Sequence, residues 1–137
     1  MRNIILIAVS LLLFGCNNHN ELIGKWEKVN QADSTKSQIE VYKFGEDLLG
    51  KRIQLSEDSE KFGLALGDVC WKNLIKKETN IYSGIRIAKR LYNGKTETMT
   101  LDFIIEIENK DLISVKALYT DNNLQDGGKT IMYKKIK

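Results

Sequence analysis

The sequence predicts an all-β chain, a small antiparallel up-and-down barrel of about eight strands, and three observations carry that prediction. Apolar residues alternate with polar ones at period two, most plainly where Met99, Leu101, Phe103, Ile105 and Ile107 interleave with Thr100, Asp102 and Glu106. Glycine and asparagine turn signals punctuate such stretches along the whole chain. Helical evidence is thin, because residues 58–66 could form a turn or two but Gly63 and Gly67 make a longer helix costly. Strands with a single apolar face must close into a barrel or stack as a sandwich to bury it, and closure also removes exposed edges.

The elements follow in order. Gly24-Lys25-Trp26 opens the first strand. Ile39-Glu40-Val41-Tyr42-Lys43-Phe44 and Gly50-Lys51-Arg52-Ile53-Gln54-Leu55 read as a hairpin around a short turn. Residues 69–74 and 81–87 are the next candidates, the second continuing toward Tyr92. Asn93-Gly94, where both residues tolerate positive φ, joins it to a strand beginning near Glu97 and running through Ile107. Asn109-Lys110-Asp111 turns that strand into residues 112–119, where Ile113, Val115, Ala117 and Tyr119 share a face. Asp126-Gly127-Gly128-Lys129 leads into the last strand, 130–136. No internal repeat, low-complexity run or proline interrupts the chain after Leu22, so residues 22–137 read as one domain.

The N-terminal segment reads differently. Met1-Arg2-Asn3 is a positive start, residues 4–14 are apolar apart from Ser10, and the run ends in Leu13-Phe14-Gly15-Cys16. That ending resembles the bacterial lipobox, with Phe14 bulkier than the usual residue. The apolar run is shorter than the roughly 20 residues a membrane-spanning helix needs. The resemblance implies that residues 1–15 are a signal peptide and that Cys16 is the lipidated residue, carrying palmitate among its acyl chains. Residues 16–21 then form a polar tether. The expected location is the bacterial cell envelope, lipid-anchored to a membrane. The absence of an acidic run over residues 17–20 points to the periplasmic side.

Two further resemblances bear on the domain. Gly24-Lys25-Trp26 resembles the Gly-x-Trp that opens the first strand of lipocalins and related small-ligand barrels. Ile39-Glu40-Val41-Tyr42, Leu49-Gly50-Lys51-Arg52-Ile53, Trp71-Lys72-Asn73-Leu74 with Lys76-Lys77, and Tyr82-Ser83-Gly84-Ile85 resemble, in order, a family of small exported bacterial lipocalin-like proteins of unknown function. The likeness runs from Gly24 to Tyr133. This chain departs from it at Ala117, where the family tends to have glycine, at Tyr133 in place of tryptophan, and around residues 89–95. The resemblance implies a lipocalin-like barrel and assigns no ligand.

Composition and motifs narrow the chemistry. Hydrophobic residues make up 42% and charged residues 28% of the chain, a globular balance rather than that of a disordered segment. The net charge of +3 is spread among interleaved acids and lysines, so no field suited to nucleic acid is evident. The one histidine, His19, falls in the tether, which removes Ser-His-Asp and Cys-His catalysis. With Cys70 it cannot complete a zinc site, so neither metal nor cofactor is expected. Cys70, left without a disulfide partner if Cys16 carries lipid, reads as a small buried hydrophobe. Glu106 and Glu108 share a strand face opposite the apolar row and read as a solvated outer face. The basic groups Lys72, Lys76, Lys77 and Arg86, Lys89, Arg90 would suit contact with anionic headgroups beside a tethering membrane, but read first as solvated loop ends.

The function expected is therefore non-enzymatic, a membrane-tethered module binding a small apolar or amphiphilic ligand inside the barrel. Its lining would include Trp26, Val41, Ile53, Trp71, Ile85, Phe103, Tyr119 and Tyr133, with the cavity beneath Trp26. The alternative is a filled barrel that binds an envelope protein through its outer surface, in an inhibitor or immunity-type role.

Overall fold

The computed structural model describes residues 21–29, 37–55, 63–118 and 130–137. Eight antiparallel strands follow one another around a closed barrel: β1 (Gly24–Lys28), β2 (Gln38–Phe44), β3 (Asp47–Gln54), β4 (Val69–Glu78), β5 (Ile81–Tyr92), β6 (Lys95–Asn109), β7 (Leu112–Ala117) and β8 (Thr130–Ile136). No helix occurs among the described residues. This is the all-β architecture expected of the alternating sequence, in the form of a small lipocalin-like barrel. Residues 63–66 are not helical, and residues 58–62, the rest of that candidate turn, lie outside the described residues.

The two ends of the barrel differ because the turns do. At one end Phe44 pairs with Asp47, Glu78 with Ile81 and Asn109 with Leu112, leaving two residues at each tip. Gly45 and Asn80 take the positive φ such tight turns demand, and the Asp111 N–H is caught by the Asn109 side chain at 2.9 Å. The longer connections 29–37, 55–68 and 118–129 all leave from the opposite end. There, too, the β5–β6 hairpin turns through Asn93 and Gly94, both at positive φ. We call these the narrow and wide ends.

The narrow half is filled. Leu22, Trp26, Val41, Phe103, Ile105 and Ile113 are each less than 2% exposed and belong to one continuous core with Ile39, Leu48, Leu74, Tyr82 and Val115. The Trp26 indole Nε1 donates to the Leu22 carbonyl at 2.9 Å, which satisfies a buried polar group and draws the residues before β1 across the barrel floor. Lys135, opposite Trp26 in the β1–β8 register, lays its ammonium 5.4 Å from the centroid of the indole ring. Gly24 has a φ of 146°, a conformation that favours glycine, which accounts for the first residue of the Gly-x-Trp motif.

Gly84 is needed for a different reason. A Cβ there would sit 2.6 Å from Leu74 Cδ2, 3.0 Å from Phe103 Cε1 and 3.2 Å from the Lys72 carbonyl. Phe103 lies directly opposite it on β6 and takes the space. Gly84→Ala should therefore destabilise the fold by about 1–3 kcal/mol through overpacking. Urea unfolding reads this as a lower midpoint at unchanged slope, and an unchanged midpoint would contradict the packing described.

Candidate functional site

Irregularities in the strand ladder decide which side chains reach the wide half of the barrel. Between β3 and β4, Gly50 pairs with Trp71 while Lys51 pairs with Val69, so Cys70 is an extra residue on β4. Such a bulge re-aims side chains, and Cys70 and Trp71, although adjacent, are both 1% exposed. Trp71 packs 5.6 Å from Phe103 and edge-on to Tyr133 at 5.4 Å, a cluster across the barrel axis. The Cys70 thiol points at the Gly50 carbonyl, with sulfur and oxygen 3.6 Å apart.

Two arginines join this cluster. Arg52 is opposite the buried Ile39 on β2, while Lys51 beside it pairs with Glu40 on the outer face, so Arg52 starts from the inner face. Arg86 is opposite Trp71 on one side and Leu101 on the other, in the inward row of Tyr82 and Gly84. Both guanidinia act electrostatically on the Cys70 thiol and the Tyr133 phenol. Burial pushes both of those groups above their ordinary pKa values, and the arginines only partly oppose it. Thiol and phenol are thus neutral donors at physiological pH, facing permanent positive charge.

Arg52 also closes a gap in the wall. The pairing of β4 with β5 stops at Arg86, and the Arg52 Nη2 donates to the next carbonyl, that of Ile87, at 3.2 Å. Its backbone holds the segment entering β4, accepting from Gly67 N–H at 2.7 Å and donating to the Asp68 carbonyl at 2.9 Å. Outside this point lies a cleft of about 220 Å³ lined by Arg52, Leu64, Asp68, Val69, Ile87 and Lys89. The Lys89 ammonium crosses it to the Gly63 carbonyl at 2.8 Å.

The residues expected to line a ligand site separate into three groups. Trp26, Val41, Trp71, Phe103 and Tyr133 meet in the single core. Two others do not join it. Ile85 faces outward, paired with Lys72 and the exposed Asp102, because the inward positions of β5 are Tyr82, Gly84 and Arg86. Ile53 is half-buried at a bulge, skipped between the Ile39–Arg52 and Gln38–Gln54 pairs, and stays outside the core. Tyr119 and Cys16 lie outside the described residues. Arg86, which the sequence reads as a solvated loop end, instead belongs to the inner face, and its shared parity with Tyr82 and Gly84 is the available signal. Arg52 shows the same parity with the buried Leu48 and Gly50. Glu106 and Glu108 are exposed, and Glu108 accepts the Ser114 hydroxyl at 3.0 Å.

Among the described residues no group of three or more His, Cys, Asp or Glu side chains is placed to hold a metal ion, and no helix is long and apolar enough to cross a membrane. No family model, curated protein or solved structure matches the chain.

Cys70 supplies a direct check on this geometry. Buried and protonated, it should react with a thiol reagent at pH 8 at least about a hundredfold more slowly in the folded protein than in denaturant. Comparable rates in the two states would show that the thiol is open to solvent. The same burial has a pH consequence. Below roughly pH 8.5 thiol and phenol are protonated whether folded or unfolded; above it the unfolded chain loses protons that the native state retains, so stability falls as pH rises. Cys70→Ala should flatten that fall between about pH 8.5 and 10 in urea titrations.

Proposed function

We propose that this protein is a membrane-tethered, non-enzymatic binding module that takes a small apolar or amphiphilic ligand at the wide end of its barrel. The observation that carries this reading is the contrast between the two halves of the inner face. In the narrow half the inward apolar side chains belong to the buried core, with Ile107 at its rim the half-buried exception, whereas Met99, Leu101, Ala117 and Ile131, inward at the wide end, are all half-buried. Half-exposed apolar side chains on a concave inner face are what a ligand's apolar portion would cover. The ligand's place therefore moves from beneath Trp26, where side chains fill the barrel, to the mouth above Trp71 and Tyr133.

The tether rests on Cys16 and the lipobox resemblance, and the non-enzymatic character on the position of the lone histidine, His19, ahead of the barrel. A filled barrel that binds a protein partner is the second reading. It is favoured by the outer face of β4 to β6, where Ile75 is 53% exposed beside half-buried Ile85 and Ile104.

Native mass spectrometry of the protein incubated with a lipid extract distinguishes the two. A retained small-molecule adduct, lost in Leu101→Trp while the thermal transition shifts by only a few degrees, is the expected result; no adduct on the wild type favours the protein-partner reading. Growth with labelled palmitate should label the wild-type protein but not Cys16→Ser, and label persisting in that variant would remove Cys16 as the anchor.

A further inference from the structure

The inward arginines are unusual for the interior of a small barrel, where charge is costly unless paired. Ordinary ion pairs do occur on this barrel, between Lys51 and Glu40 at 3.5 Å and between Lys134 and Glu27 at 3.6 Å, both on the outer face. Arg52 and Arg86 have no acidic partner within that range among the described residues. Asp68 lines the cleft beside Arg52 without pairing with it, and its Oδ2 instead accepts the Ala65 N–H at 3.0 Å. The Arg52 Nε is shut away from solvent without a hydrogen-bond partner, leaving one buried donor of the guanidinium fork unused. Next to this charge stand two neutral donors, the Tyr133 hydroxyl and the Cys70 thiol, and beside Arg86 begins the half-buried apolar row of Leu101 and Met99.

We propose that Arg52 and Arg86 bind an oxyanion at the wide mouth of the barrel, the carboxylate or phosphate headgroup of a single-chain amphiphile whose tail lies along Leu101, Met99 and Ile131. This rests on the reading of the wide end as the ligand site and adds what the ligand must carry. Two guanidinia match the planar, bidentate geometry of carboxylate and phosphate better than any neutral headgroup does. An incoming oxyanion would also supply the direct ion-pair partner that Asp68, beside Arg52 but not paired with it, does not. Because arginine stays charged at every accessible pH, the site would hold its anion without depending on a titrating group of its own.

The test is native mass spectrometry of the full chain, released from non-ionic detergent after incubation with oleate, with methyl oleate, or with acetate or inorganic phosphate. Oleate should be retained with at least tenfold higher occupancy than methyl oleate, since the two share one tail and differ at the headgroup, an anionic carboxylate in one and an uncharged methyl ester in the other. The double variant Arg52→Gln/Arg86→Gln should lose that preference, binding both equally weakly. Arg52 also bonds the wall, so the single variant Arg86→Gln, with its fold checked by circular dichroism, keeps the comparison interpretable, and it should lower oleate occupancy severalfold. Retention of the two small anions in place of oleate, abolished by the same substitutions, would keep the oxyanion site and overturn the amphiphile as its source. Equal binding of oleate and methyl oleate by the wild type, or oleate binding unchanged in both arginine variants, would overturn the proposal while leaving an apolar ligand site intact. Binding of none of the four probes by the wild type would overturn both the proposal and the reading beneath it.

Discussion

Backbone pairing between β1 and β8, from Lys25 opposite Ile136 to Lys28 opposite Tyr133, turns a sheet with two edges into one with none, and the interior depends on it. β1 has only five residues, yet it must pair with β2 on one side and β8 on the other. Its inward residue, Trp26, is also the largest side chain of the floor. Loss of this strand would uncover Trp26, Ile39 and Tyr133 together and release Leu22 from the indole that holds it. The closing strand thus couples the edge problem of the sheet to the packing of its core. Short strands are stable in that position because the ladder on both sides and the buried ring act on the same few residues.

Closure also explains why the two ends differ. With up-and-down connectivity, alternate connections fall at alternate ends, and here every two-residue turn but one lies at the narrow end. Tight turns leave no chain to spare, so that end is sealed by side chains, with Leu22 and Trp26 as the plug. At the wide end β5 and β6 run on past the start of β4, and the wall there is completed by the Arg52 side chain reaching the Ile87 carbonyl rather than by a backbone ladder. That contact uses one nitrogen of the guanidinium and leaves its Nε buried without a hydrogen-bond partner.

Much of this was legible in the sequence wherever one face of a strand is buried and the other wet. Met99 to Ile107 shows that alternation and β6 follows it. Legibility failed where the ladder is irregular or both faces are wet. β4 continues through Lys76, Lys77 and Glu78, all exposed, where alternation has nothing to report, so the apolar pattern marks the strand only as far as Leu74. β3 starts at Asp47 because the two-residue turn at Gly45 and Glu46 is tighter than the sequence suggested. The bulge at Cys70 and the positive φ of Asn73 shift the parity of β4, and no periodicity argument can register a shift of one residue before the partner strand is known. Ile85 is the residue of β5 that the sequence places among the ligand-lining side chains, yet the interior row of the strand is Tyr82, Gly84 and Arg86. Hydrophobicity points inward only where no larger neighbour has claimed the volume, and Phe103 claims it opposite Gly84.

The same volume argument bears on the polar cluster. Trp71, Phe103 and Tyr133 already fill the cross-section at their level, so a ligand cannot pass them without displacing rings whose packing stabilises the core. A ligand entering from the wide end, as proposed, would stop there, near the Tyr133 hydroxyl, the Cys70 thiol and the two guanidinia. Thiol and phenol are held neutral by burial, and arginine cannot be neutralised, so the charge at that depth has one sign under all ordinary conditions. A barrel hollow to its floor would select for apolar bulk and length. One filled to this level would, under the proposed reading, select at its stopping point, where two guanidinium groups stand without a carboxylate paired to either among the described residues.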